Sequence, residues 1–226
     1  MTPRAQGDPD LAAALSRDRV EALKLIPVPR ETNERLDRFV ELLLAWQARI
    51  NLIAPSTIPV LWTRHIADSL QLLDVLPGAK VWVDFGSGGG FPAVPLACAL
   101  AGRPGAQVHM IESNGKKAAF LRETVRTLQL PAQVHQSRIE DSGESWPGSV
   151  EAVTARALAP LKTLCDQAFP LISRGATGVF LKGQDVDAEL TEAAKYWTLQ
   201  ASTVPSKTSP DGCIVVIRSL KPRIRA

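Results

Sequence analysis

Between Leu36 and Ile50 apolar residues recur every three or four positions among charged ones: Leu36, Phe39, Val40, Leu43, Leu44 and Ile50. That spacing lines one face of a helix, and the polar residues ahead of it predict a start near Glu31. The Pro27-Val28-Pro29 stretch breaks any earlier helix, and Pro55 and Pro59 bracket a loop. A second helical stripe follows in Leu61, Ile66, Leu70 and Leu73. Residues 1–76 are therefore expected to form an α-helical N-terminal extension.

From Ala79 onward the pattern changes to short apolar runs separated by helix-length segments, the texture of a parallel sheet with crossover helices. Strands are expected at Lys80–Asp84, Gln107–Glu112, Gln133–Gln136, Ala152–Ala155, Thr177–Leu181, Thr198–Val204 and Ile214–Ser219. Helices are expected at Val94–Ala101, Lys116–Leu128, Leu161–Leu171 and Val186–Tyr196. Turn-rich Pro205–Gly212 separates the last two strands, which points to an antiparallel, hairpin-like edge. The expected fold is α/β, a doubly wound, mostly parallel seven-stranded sheet over residues 77–226 behind the helical extension.

Composition narrows the setting. A chain of 226 residues, 45% hydrophobic and 22% charged, suits one globular domain with a short extension. Net charge is +3, which permits an anionic partner without requiring one. Met1 to Asp10 shows no apolar stretch of the secretory type, and Phe91 to Ala101 is too short to span a bilayer, so no membrane association is expected. Cys98, Cys165 and Cys213 are widely separated, with no C-x-x-C pair, which fits a reducing, cytoplasmic compartment. His65, His109 and His135 show no ligand spacing, so no metal is expected. Cys165 and Cys213 read as core residues, and His65 with Asp68, three apart on one helical face, as a structural hydrogen bond.

The chemistry-bearing segment is Asp84-Phe85-Gly86-Ser87-Gly88-Gly89-Gly90-Phe91-Pro92, between a strand and a helix. Clustered glycines let the backbone turn tightly and approach a ligand. A dinucleotide site wants G-x-G-x-x-G, but Phe91 occupies the third glycine position. Asp84 at the strand end would repel a pyrophosphate, whereas it suits S-adenosylmethionine, which has no phosphate and carries an ammonium and a sulfonium. Glu112 ends the next strand, where a carboxylate can accept from ribose hydroxyls; NAD folds do the same. A tight turn with no ligand, an NAD-dependent oxidoreductase and a non-catalytic RNA-binding or assembly protein all remain open at this point.

Those residues, with Glu112-Ser113, Lys116-Lys117 and Phe120-Leu121, resemble the bacterial small-subunit (16S) rRNA guanine-N7 methyltransferase G family, also called glucose-inhibited division protein B. Upstream, Asn51-Leu52-Ile53 and Arg64-His65-Ile66-Ala67-Asp68-Ser69-Leu70 are similar to its signature. Downstream, Ser137-Arg138-Ile139-Glu140, Ala155-Arg156-Ala157-Leu158-Ala159-Pro160-Leu161 and Leu181-Lys182-Gly183 agree in order, so the resemblance runs from about Arg35 to Arg218. The chain departs from the family pattern at Ala93, where glycine is usual, and at Gly212-Cys213, where a basic pair is usual.

The resemblance implies a class I methyltransferase (Rossmann-like) sheet, S-adenosylmethionine as cofactor, and N7 of a specific guanine in 16S rRNA as methyl acceptor. It implies that Asp84, Gly86, Gly88 and Phe91 frame the methionine part of the cofactor, Glu112 and Ser113 the ribose, Ile139 and Glu140 the adenine, and Arg156 the opening toward substrate. N7 carries a lone pair and no proton, so no general base is expected and no catalytic residue is assigned. Arg64, Lys116, Lys117, Arg138, Arg156 and Lys182, with Lys221, Arg223 and Arg225 in the tail, are candidate RNA contacts. The implied partner is 16S rRNA within the small ribosomal subunit or its precursor, met by a monomer.

Overall fold

The computed structural model describes residues 9–142 and 149–223. Two long helices open the fold, α1 (Pro9–Leu25) and α2 (Arg30–Gln47), so the Pro27-Val28-Pro29 stretch separates two helices, and one does precede it. The bracketed loop is a 3-10 turn over Pro55–Val60. The second apolar stripe does not form one helix. It runs through a π-helical turn, Trp62–Ala67, into the one-turn helices α3 (Asp68–Leu70) and α4 (Leu72–Val75). The start of this run is capped from outside: the Asp18 carboxylate on α1 accepts from the amides of Trp62 at 2.7 Å and Thr63 at 3.2 Å. Those amides begin the turn and would otherwise lack acceptors.

Strands β1 (Val81–Phe85), β2 (Gln107–Ile111), β3 (Ala132–His135), β4 (Ala152–Arg156), β5 (Thr177–Lys182), β6 (Trp197–Pro205) and β7 (Cys213–Pro222) fall within a few residues of their expected places. Helices α5 (Ala93–Leu100), α6 (Gly115–Leu128), α7 (Leu161–Ile172) and α8 (Val186–Ala193) alternate with them. Among the described residues the sheet order is β3-β2-β1-β4-β5-β7-β6, with the first five strands parallel. β7 enters antiparallel between β5 and β6, so the expected antiparallel pair exists, but β6 alone is the edge.

Side chains alternate between the two faces at the period of a strand. In β7, Ile214 and Val216 join the core shared with the N-terminal helices, while Val215 and Ile217 join the core under α7. β1 does the same, Trp82 toward the first core and Val83 and Phe85 toward the second. Burial on both faces is why these strands read as unbroken apolar runs. The extension is therefore part of the packing of the sheet: Leu36, Phe39 and Leu43 of α2 are fully buried in the same core as Trp82, Val94 and Phe120.

The sheet order reverses between β1 and β4. In open α/β sheets the crevice beyond the strand ends at such a point is the place where ligands bind. Among the described residues no helix is long and apolar enough to cross a membrane.

Phe39 is the hinge pin of this packing, 5.3 Å from the Phe91 ring and 6.4 Å from that of Phe120. Phe39→Ala should cost about 3–5 kcal/mol of unfolding free energy, as for other buried Phe truncations. Urea unfolding monitored by tryptophan fluorescence measures it, and a loss below about 1 kcal/mol would show that the extension contributes little to the core.

Candidate active site

The site begins where β1 runs out and the chain turns through Gly86 to Phe91. Gly86 has φ +65°, and a Cβ there would lie 2.7 Å from Cδ1 of Leu158 on the neighbouring β4 loop. A Cβ on Gly89 would lie 2.8 Å from the Leu52 carbonyl oxygen. Glycine is needed there because the 51–53 segment passes so close. That segment is itself held by Gln47, whose Oε1 accepts from the amides of Leu52 at 2.9 Å and Ile53 at 3.1 Å.

Glu112, just past β2, clamps the loop from the other side. Its Oε2 accepts from the Gly88 amide at 2.8 Å and its Oε1 from the Asn114 amide at 2.7 Å. Asn114 in turn caps α6, accepting from the amides of Lys116 and Lys117. Each Glu112 oxygen keeps a second lone pair for a hydroxyl.

In front of this loop lies a cleft of about 460 Å³. Seven of the expected cofactor residues meet along it: Gly86, Gly88, Glu112, Ser113, Ile139, Glu140 and Arg156. Glu140 is exposed, accepts from the Gln167 side chain at 3.0 Å, and has its pKa held low by backbone hydrogen bonding and by Gln167. Asp84 and Phe91 do not line the cleft. Phe91 is buried against Phe39 and, at 4.8 Å between ring centres, His65.

Asp84 lies beneath the loop on the Trp82 face of β1, 1% exposed, and neither carboxylate oxygen has a hydrogen-bond partner among the described residues. Its register partner on β4, Thr154, is likewise fully buried with an unpartnered hydroxyl. Burial pushes the Asp84 pKa up to about 7, with repulsion from Glu112 in the same direction; the nearby Ser87 hydroxyl opposes the shift but donates to the Asp84 backbone carbonyl. Two orphaned polar groups side by side under a glycine loop are costly to bury and call for a ligand or bound water.

A second cleft, about 520 Å³, adjoins the first and shares Arg156 and Ala157 with it. Arg64 and Lys182 line it. Arg156 is tied in three directions: Nε pairs with Asp68 at 3.0 Å, Nη1 donates to Nδ1 of His65 at 2.6 Å, and Nη2 donates to the Arg64 carbonyl at 3.0 Å. His65 and Asp68 thus meet on Arg156, which corrects the expected bond between them; the π-helical turn shifts His65 out of helical register with Asp68. Because Arg156 donates to Nδ1, the His65 proton sits on Nε2 and is donated to Thr57 Oγ1 at 2.8 Å. Burial, then the Arg156 and Arg64 charges, lower the His65 pKa to about 3, so the ring is neutral.

The remaining expected RNA contacts disperse. Lys117 and Arg138 line the first cleft, whereas Lys116 is exposed on α6. Lys182 is mostly buried, bonded to Glu189 at 2.6 Å and to the Ala159 carbonyl at 2.9 Å. Lys221 and Arg223 lie away from both clefts: β7 starts at the second cleft and runs antiparallel to β5, carrying them about 30 Å to the other end of the sheet. Arg223 donates there to the Ala194 carbonyl, and Arg225 lies outside the described residues. Cys165 is core as expected, but Cys213, at the start of β7, is only half-buried and lines the second cleft. His109 and His135, unrelated by spacing, are brought to 3.0 Å by strand pairing, and the described residues hold no cluster of three or more potential metal ligands.

Sequence reasoning missed Gln47, Thr154 and the role of the loop before β7, all of which act across long separations. The quoted Arg64-to-Leu70 segment was the available signal for the Arg156 knot.

The rRNA small subunit methyltransferase G family model matches residues 32–214. Among curated relatives, the Ribosomal RNA small subunit methyltransferase G of Bradyrhizobium sp. strain BTAi1 is 61% identical over 203 residues, 90% of this chain and 91% of that one. The protein of the same name from Rhodopseudomonas palustris strain BisB18 is 54% identical over 223 residues, 99% of this chain and 95% of that one. In structure the chain is similar to the O-methyltransferase from Bacillus cereus in complex with SAH, with TM-score 0.58, 15% identity and coverage of 92% of this chain and 99% of that one. A putative O-methyltransferase from Klebsiella pneumoniae gives TM-score 0.57 at 14% identity, covering 93% and 99%. These two likenesses establish a shared fold.

Because the Asp84 pKa of about 7 lies above the ordinary 3.8, its favourable contribution is complete below about pH 4 and is lost as pH rises through 7. The ligand-free protein should therefore lose unfolding free energy between about pH 4 and pH 7, and Asp84→Asn should flatten that slope. Urea titrations across this range test it; parallel slopes for the two proteins would mean that Asp84 does not titrate there.

Proposed function

The chain belongs to the rRNA small subunit methyltransferase G family, and on that premise we propose that it transfers a methyl group from S-adenosylmethionine to N7 of a specific guanine in 16S rRNA. The observation that carries this reading is the pair of clefts meeting at Arg156 and Ala157, one walled by the glycine loop and Glu112, the other by Arg64 and by the internally paired Arg156 and Lys182.

When bound, the cofactor supplies a methyl group on a positively charged sulfur, which an in-plane lone pair such as that of N7 takes directly. The residues hold and exclude. Glu112 accepts from the ribose hydroxyls with its spare lone pairs while keeping the loop shaped through Gly88 and Asn114. Ile139 gives an apolar face for adenine, with Glu140 at its rim. Asp84 supplies the negative charge for the ammonium, which requires the glycine loop to shift because the carboxylate is covered. Phe91 acts from behind, supporting the loop by packing.

Arg156 positions the junction between the clefts. Its pairing with Asp68, and that of Lys182 with Glu189, keeps the walls from adding net positive charge beside a base that becomes cationic on methylation. Alignment of N7, methyl and sulfur then supplies most of the rate gain. Lys117, Arg138 and Arg64 take RNA phosphates, Lys116 adds to the field, and the far end of β7 plays no part. The proposed substrate is the small ribosomal subunit or its precursor, met in the cytoplasm by a monomer, and N7 must be presented from a loop or distorted region because the A-form major groove hides it.

Attack by N7 removes no proton, and His65, at about 3, does not titrate near neutrality. Single-turnover rates with saturating cofactor and substrate should therefore be flat across the neutral range. Replacing the target guanine by 7-deazaguanine should abolish transfer; methylation that survives, or an ascending limb near pH 6.5, would identify another acceptor or a protein base.

A further inference from the structure

Six charged side chains line the second cleft: Arg64, Asp68, Arg156, Lys182, Glu189 and Asp211. Four of them neutralise each other, Arg156 with Asp68 at 3.0 Å and Lys182 with Glu189 at 2.6 Å. Their remaining valences are also used, since Asp68 Oδ1 accepts from Gln71 and Thr208, and Glu189 accepts from the Leu161 amide. The side chains of Arg64 and Asp211 have no hydrogen bond or ion pair among the described residues. Both are exposed on the lining of the cleft, so one anion and one cation there are open to a ligand with both donor and acceptor edges.

The fold sets where the free anion stands. Asp211 lies on the loop just before β7, and Ala157 follows β4, at the wall shared with the first cleft. With strand order β1-β4-β5-β7, the two are two strand spacings apart, about 10 Å. The loop is pinned: the Ser206 amide donates to the Gly212 carbonyl at 2.9 Å, the Gly212 amide to the Ser209 carbonyl at 3.1 Å, and Thr208 Oγ1 to Asp68 at 2.7 Å. Asp211 is thus held at a set distance from the Arg156 knot. In guanine, N7 and the N1–N2 edge lie on opposite sides of the bicycle. A base entering with N7 toward Ala157 turns its N1–H and exocyclic amine toward β7.

Resting on the guanine-N7 reading above, we propose that the second cleft receives the flipped-out acceptor base and that Asp211 selects guanine by accepting hydrogen bonds from N1–H and the N2 amine. Adenine in the same pose sets a bare N1 lone pair and a C–H against the carboxylate, which repel it and replace no hydrogen bond to water, and is disfavoured. Arg64, which lines the same cleft, takes the adjoining phosphate. Its guanidinium does not cap N7, which must stay free to react. Extrusion of the base from its stack is the usual requirement for chemistry on a nucleobase.

The test uses the full chain and subunits lacking the modification, reconstituted with guanosine or inosine at the mapped target position. Inosine keeps N7, O6 and N1–H and lacks the N2 amine. The wild type should favour guanosine in kcat/KM by about tenfold, and Asp211→Asn and Asp211→Ala should lose roughly 10- to 100-fold on guanosine while handling both bases alike. Cofactor affinity, measured by calorimetry, should be unchanged. A variant that keeps the wild-type guanosine preference, or one whose cofactor affinity falls together with its rate, would overturn the assignment. Failure of the wild type to methylate guanosine at all would instead overturn the reading on which it rests.

Discussion

The guanidinium of Arg156 is the point on which the site depends. It sits at the end of β4, largely buried, and is claimed by Asp68, by His65 and by the Arg64 carbonyl, all from the N-terminal extension. Burial lowers its pKa and Asp68 opposes that, so the cation is kept by its partner. A buried charge stripped of its partner costs about 3–5 kcal/mol, which makes the pair a strict condition on how the extension docks. Asp68 also holds Thr208, so one carboxylate fixes the end of β4 and the loop before β7 at once. Both clefts inherit their common wall from this knot.

The glycine loop answers to a different constraint, close approach. Leu52 presses on it from the extension and Leu158 from the β4 loop, while Glu112 draws Gly88 toward β2. Under this tightly held loop the fold leaves Asp84 and Thr154 unsatisfied. Stability would favour apolar groups at both places. Retaining them is the kind of local cost that accompanies a binding site, where the ligand-free protein carries strain that the ligand relieves.

Much of the fold was legible because it is local. Strand alternation, the helix lengths and the turn before β7 all follow from residues a few positions apart, and the glycine loop with Glu112 spans a single βαβ unit, whereas Ser113, Ile139, Glu140 and Arg156 on the same cleft were named by the family resemblance. The π-helical turn at Trp62–Ala67 was not legible, and the start of that run is capped by Asp18, more than forty residues upstream. That Lys182 is paired with Glu189, and that β7 carries Lys221 to the far end of the sheet, could not be read from the chain, because charge in a sequence carries no sign of which way a strand runs or what pairs with it.

The division has a physical basis. Propensity and periodicity act through neighbours in the chain, and they determined the doubly wound architecture, the parallel run of the early strands and the antiparallel last pair. Which polar groups meet depends on long-range closure, as with Arg156 and His65 at a separation of 91 residues, and no local pattern encodes such a partner. The tertiary structure alone decided that Asp84 would be buried without a partner, that Lys182 would be neutralised, and that Asp211 would stand free on the wall of a cleft. The first two are balances between desolvation and pairing, which exist only once the chain has closed around the group, and the third follows from where the loop before β7 is pinned.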